Sequence, residues 1–166
     1  MASITLEGNP INTSGDLPVV GSTAHDFHLT TVELNDIDLA DYAGKRKILN
    51  IVVSIDTGIC EDSTKYFNDA VSAIDNVQVF TISADLPFAL ARVFEAGNIK
   101  NVLALSMMRS RNFAKDYGVL IQNGPLAGVT ARAIIVLDEE NKVLYTELVP
   151  EITQAPDYDK ALAALS

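Results

Sequence analysis

In a chain of 166 residues there is one cysteine, Cys60, and there are two histidines, His25 and His28. Those three side chains are the whole supply of soft nucleophile, imidazole base and soft metal ligand. One cysteine cannot form a C-x-x-C pair, so dithiol oxidoreductase chemistry of the thioredoxin type is excluded. Position 66 is Tyr, which rules out the C-x5-R loop of cysteine phosphatases. Neither G-x-G-x-x-G nor G-x-x-x-x-G-K-[ST] occurs, so the common nucleotide cradles are missing. The stretch Asp26-Phe27-His28-Leu29 alternates like extended chain, so His25 and His28 read as ordinary surface histidines, and no metal site or cofactor is expected.

Cys60 follows the apolar run Ile48-Leu49-Asn50-Ile51-Val52-Val53 and the polar turn Ser54-Ile55-Asp56-Thr57-Gly58. It therefore falls in the first turn of a helix, with Asp56 or Thr57 as the N-cap. Unpaired N–H groups and the positive end of the helix dipole favour a thiolate there. Open α/β sheets bind ligands beyond the carboxyl ends of their strands, which is where this turn lies. The alternative is a small buried hydrophobe. Glu61 and Asp62 follow directly, so an ionised sulfur needs a positive partner from elsewhere. Arg132, between Ala131 and Ala133 at the start of a strand, is the candidate; an ordinary surface salt bridge is its alternative role.

The elements that must position these residues follow from periodicity. Ile4 to Thr13 alternates around Gly8-Asn9 and reads as a β-hairpin. An extended piece lies at Phe27 to Thr30, then strands at Ile48–Val53, Val77–Ser83 and Asn101–Leu105. Ile59 to Ile74 carries apolar or aromatic residues at 59, 66, 67, 70, 71 and 74, a helical spacing. Pro87 opens a second helix through Leu90, Val93 and Phe94. A short helix is expected at Arg111–Tyr117 and a hairpin from Arg132–Asp138 and Lys142–Leu148. A closing helix spans Asp159–Leu165. The order implies an α/β fold with a mixed central sheet flanked by helices. No linker or repeat divides it, so one domain over residues 1–166 is expected.

Apolar residues are 48% of the chain, enough for a core. Twelve Lys+Arg against 22 Asp+Glu leave a net charge of −10, which repels nucleic acid and anionic membranes. The start Met1-Ala2-Ser3-Ile4-Thr5-Leu6-Glu7 lacks the pattern of a signal peptide, and no apolar run spans a bilayer. Lone-cysteine usage fits a reducing compartment, so a cytoplasmic location is expected.

Ser54-Ile55-Asp56-Thr57-Gly58-Ile59-Cys60 resembles the peroxidatic loop of bacterial thiol peroxidases, a subfamily of the peroxiredoxins. So do Gly8-Asn9-Pro10, Gly44-Lys45-Arg46-Lys47, Ser83-Ala84-Asp85-Leu86-Pro87-Phe88-Ala89, Ala131-Arg132-Ala133 and Pro156-Asp157-Tyr158, in order along nearly the whole chain. The resemblance implies a thioredoxin-like fold with an added N-terminal β-hairpin. It implies an antioxidant peroxidase in which Cys60 attacks a hydroperoxide and becomes sulfenic acid, with Thr57 and Arg132 holding the thiolate and the peroxide oxygens. It also implies a homodimer.

Two positions depart from the family pattern. Phe94 stands where the resolving cysteine is usual, so the sulfenic acid must be reduced by an external thiol, either thioredoxin or a low-molecular-weight thiol. Val53 stands where a proline is usual, keeping apolar cover while restoring an N–H. These departures leave a second reading open, a redox-sensing or vestigial paralogue without turnover. Leu86, Pro87, Phe88 and Leu90 form either an apolar wall near the pocket or plain core, with core favoured. The expected site is a solvent-reachable sulfur between the guanidinium of residue 132 and the hydroxyl of residue 57.

Overall fold

The computed structural model describes residues 1–166. Strands β1 (Ser3–Leu6) and β2 (Asn9–Asn12) pair antiparallel as a separate two-stranded hairpin. Its turn is Glu7-Gly8, with φ of +50° and +82°, the left-handed pair that a tight hairpin needs. Gly8 meets that demand without strain, while Asn9 already belongs to the strand.

The remaining strands are β3 (His28–Thr31), β4 (Asp36–Asp38), β5 (Arg46–Ile51), β6 (Val77–Ser83), β7 (Val102–Ser106), β8 (Ala133–Leu137) and β9 (Val143–Leu148). They form one seven-stranded sheet in the order β4-β3-β7-β6-β5-β8-β9. Strand β5 runs parallel to β6 and antiparallel to β8, so the sheet is mixed and β5 lies inside it. A strand buried on both faces has no need of alternation, which is why Ile48-Leu49-Asn50-Ile51 reads as a continuous run. Strand β4 has no counterpart in the sequence reading. Asp-Ile-Asp is too short and too acidic to signal a strand, and it is held by its pairing with β3 at the sheet edge and by the bond from Arg109 to Asp36.

Helices α1 (Gly58–Ala70), α2 (Pro87–Ala96), α3 (Asn112–Asp116) and α4 (Tyr158–Ala163) cover the sheet. Odd and even positions of the central strands divide the core. Ile48, Val79, Ala104, Ile134 and Val136 pack with Phe67 of α1 and Val71 at its end, Leu90 and Phe94 of α2, and Ala161 of α4. Leu49, Ile51, Phe80, Ile82, Leu105 and Ile135 pack on the other face with Phe27, Phe113 and Tyr117. This is the expected thioredoxin-like arrangement, with the hairpin added.

Helix α1 differs from its reading in one respect. Its buried face is Cys60, Ser63, Thr64 and Phe67, whereas Tyr66, counted among the apolar positions, is 37% exposed. The spacing is helical either way, but two hydroxyl residues occupy the inner stripe.

Candidate active site

The chain leaves β5 and turns through Ser54–Thr57 into α1. Thr57 has extended backbone angles and is the N-cap; its Oγ1 accepts a hydrogen bond from the Cys60 amide at 3.4 Å. The same hydroxyl donates to the Ser54 carbonyl at 3.1 Å, so its link to Cys60 runs through the backbone. Asp56, the other N-cap candidate, lies outside the helix and forms a surface ion pair with Arg92 at 3.4 Å.

Arg132 reaches the sulfur. Its Nη1 donates to Cys60 Sγ at 2.9 Å, and its Nε donates to the Ile152 carbonyl at 2.9 Å. The side chain is 3% exposed, so the surface salt bridge considered from the sequence is excluded. Register explains the meeting. Ile51 of β5 lies opposite Ala133 of β8, which puts Arg132 beside the exit of β5. A buried guanidinium carries a heavy desolvation cost unless an anion or several acceptors meet it. Here its neighbours are the Ile152 carbonyl and the Cys60 sulfur, so the guanidinium's charge is directed at that sulfur.

The expected solvent access is not found. Cys60 has 0% exposure. Ile4 and Ile11 of the hairpin, Val52, Val53, Ile121, Ala131 and Ile152 close around it in a third apolar cluster. The sequence indicated the hairpin but not that its apolar face would be spent on covering this sulfur. Val53 supplies apolar cover there. Phe94 packs elsewhere, on the buried face of α2, at the edge of a cavity of about 410 Å³ that none of Thr57, Cys60 and Arg132 lines.

Glu151 fastens the hairpin to the segment that orients Arg132. Its Oε1 accepts from Thr5 Oγ1 and the Gly8 amide, both at 2.9 Å. Its Oε2 accepts from the Thr153 amide at 3.0 Å and Thr153 Oγ1 at 2.9 Å. Bonds from the Thr153 and Gly8 amides, foremost, hold its carboxyl down at about 2. The next residue, Ile152, provides the carbonyl for Arg132.

Beneath Cys60 lies a buried polar network. Ser63 Oγ and Thr64 Oγ1 each donate to the Cys60 carbonyl at 2.9 Å. Asn50 Nδ2 of β5 reaches Ser63 at 3.3 Å, Thr64 at 3.5 Å and Thr81 at 3.3 Å. On the flank, Tyr158 of α4 stacks on Tyr66 with centroids 4.6 Å apart. Burial pushes the Tyr158 phenol up, against the opposing positive charge of Arg132.

Residues missed by the sequence reading are Asn50, Ser63, Thr64, Asp85 and Glu151. Asp85 had been visible only as part of a matching fragment. Leu86 and Phe88 are 55% and 66% exposed, while Pro87 and Leu90 are buried, so the core reading holds for two of those four. His28 lies on β3 with its Nδ1 2.5 Å from Asp38, away from Cys60 across β7 and β6. The Asp38 hydrogen bond, foremost, raises its pKa.

The redoxin family pattern matches residues 19–162. A thiol peroxidase of Corynebacterium glutamicum is 46% identical over 166 residues, covering all of both chains. Among solved structures, a peroxiredoxin-like protein from Aquifex aeolicus superposes with a TM-score of 0.92 at 39% identity, over 98% of this chain and 95% of that one. A thiol peroxidase from Chromobacterium violaceum gives 0.88 at 27% identity, over 98% and 94%. A strand-to-helix cysteine under a buried arginine, in a fold shared end to end with these proteins, places the chain in the redoxin family, on its peroxiredoxin-type thiol peroxidase branch.

Proposed function

We propose that this protein is a thiol-dependent peroxidase of the one-cysteine kind, acting on hydrogen peroxide and organic hydroperoxides. The observation that carries the reading is the buried Arg132 guanidinium donating to the sulfur of the only cysteine at 2.9 Å. In the reaction, the Cys60 thiolate attacks one peroxide oxygen and the O–O bond breaks. The departing hydroxide or alkoxide takes a proton and leaves as water or alcohol, while Cys60 becomes sulfenic acid. Arg132 supplies a fixed positive charge where negative charge builds on the departing oxygen. Thr57 sets the first turn of α1, which aligns the sulfur.

Phe94 and the lone cysteine remove any intramolecular disulfide. An external thiol therefore condenses with the sulfenic acid, releasing water, and a second thiol reduces the mixed disulfide. Because the sulfur is wholly buried, the residues over it must move before peroxide or reductant arrives. Exposed Leu86 and Phe88, at the start of α2, support a homodimer through that face. No helix is long and apolar enough to cross a membrane. A cytoplasmic location remains part of this proposal.

Purified protein should consume hydrogen peroxide or an alkyl hydroperoxide with a small thiol or thioredoxin as donor, and Cys60→Ser should be inert. Equal rates for both would refute the enzyme reading. A sulfenate detected by mass spectrometry that no thiol reverses would favour a one-shot redox sensor.

A further inference from the structure

Asp85, on the turn between β6 and α2, bonds through both carboxylate oxygens to the loop before Cys60. Its Oδ1 accepts from Ser54 Oγ at 2.7 Å, and its Oδ2 accepts from the Ile55 amide and from Ser83 Oγ, each at 2.7 Å. The Asp85 amide donates to Ser83 Oγ at 3.2 Å, and its carbonyl accepts from Ser106 Oγ at 2.5 Å. The end of β6 thus holds the carboxylate and the amide of Asp85, the end of β7 holds its carbonyl, and the carboxylate oxygens grip the turn in front.

We propose that Asp85 is a positioning residue for the peroxide reaction, holding Ser54 and Ile55 so that the turn delivers Thr57 to the amino end of α1 and Cys60 to Arg132. The proposal rests on the peroxidase reading and deepens it. The relay is continuous. Ser54, fixed by Asp85 through its hydroxyl, accepts through its carbonyl from the Thr57 amide at 3.2 Å and the Thr57 hydroxyl at 3.1 Å. Thr57 in turn caps the Cys60 amide. Only a carboxylate suits the post, because all three groups facing it are donors and both oxygens must accept. An amide of the same size would turn an NH2 toward one of those donors. Placing an anion in a loop that precedes a thiolate is electrostatically adverse, so its use here is explained by geometry rather than by charge. The exposed Asp56–Arg92 pair offers no substitute, since surface pairs of that kind hold little.

The test uses the full chain with Asp85→Asn and Ser54→Ala, and Ser54→Thr as the variant that keeps the hydroxyl. Three quantities are read at neutral pH: the ultraviolet absorbance of the thiolate, the rate of Cys60 alkylation by iodoacetamide, and the second-order rate with hydrogen peroxide. Asp85→Asn should slow the peroxide reaction by between about tenfold and about a hundredfold, the range for sub-ångström to ångström misplacement. It should also lower thiolate absorbance and slow alkylation several-fold, the opposite of what removing an adverse charge alone would do. Ser54→Ala should move all three the same way by less, and Ser54→Thr should recover them. If Asp85→Asn does not fold, the Ser54 pair decides. Ser54→Ala within about twofold of wild type on all three overturns the proposal. So does a folded Asp85→Asn that loses thermal stability alone. Wild type inert toward peroxide would sink the peroxidase reading instead, while absorbance and alkylation would still judge the positioning role.

Discussion

Arg132 and Cys60 meet through one arm of a fork whose other side is already taken: Nη1 faces the sulfur at 2.9 Å while Nε is bound to the Ile152 carbonyl at 2.9 Å. The guanidinium is therefore oriented before any substrate arrives. The carbonyl belongs to the segment that Glu151 ties to the N-terminal hairpin, whose Ile4 and Ile11 also cover the sulfur. Cover and orientation come from the same small attachment.

Arg132→Lys keeps the charge but cannot reach the carbonyl and the sulfur in one rigid plane. Its peroxide rate should fall by about a hundredfold, the loss typical of one preorganised donor to a developing charge. Stopped-flow peroxide consumption measures it. A lysine variant as fast as wild type would show that charge alone suffices.

Thr57→Val removes both the cap and the hydroxyl donor to Ser54. It should cost about 1 kcal/mol in urea unfolding, the usual worth of an N-cap, together with a lower rate with peroxide. Thr57→Ser should retain both. Equal stability of the valine variant would mean that the cap bond, 3.4 Å long, adds nothing.

Glu151→Gln tests the hairpin clamp through pH. The native carboxyl sits at about 2, below its ordinary 4.5. A depressed folded value means the stabilisation is fully present above about 4.5 and is lost as pH falls through about 2. The gap in urea midpoint between wild type and Glu151→Gln should be widest near neutral pH and close progressively below about 4.5. A gap constant down to about pH 2 would contradict this assignment.

Asn50→Ala strips the buried link between β5 and α1 and leaves the hydroxyls of Ser63, Thr64 and Thr81 short of a partner. A loss of about 2 kcal/mol is expected, within the range for orphaned buried polar groups. Amide exchange in the first turn of α1 should accelerate, measured by mass spectrometry. Unchanged exchange there would separate the network from the Cys60 turn.

Several parts of the site were legible because short windows of sequence carry them. A cap residue before a helical spacing identified Thr57 and placed Cys60 in the first turn, and both are properties of a few neighbouring residues. Ser63 and Thr64 escaped notice because hydroxyls on an inner stripe look like a solvent face. Only the Asn50 amide and the Thr81 hydroxyl, arriving from the sheet, make that stripe an interior one. Asp85 escaped for a related reason: a single acid at a strand exit has no local signature, and two of its three donors come from a turn 30 positions away.

Residue types and their local order were sufficient for the α/β class, the hairpin, the strand-turn-helix around Cys60 and the absence of a second thiol. Partnership and burial were decided by the tertiary structure. Cys60 and Arg132 are 72 positions apart, and they meet because β5 and β8 pair with Ile51 opposite Ala133. The sulfur is closed off because a hairpin from the start of the chain folds over it. Both outcomes depend on contacts between distant segments, whose register and coverage are set by packing the whole sheet at once and leave no trace in any local window.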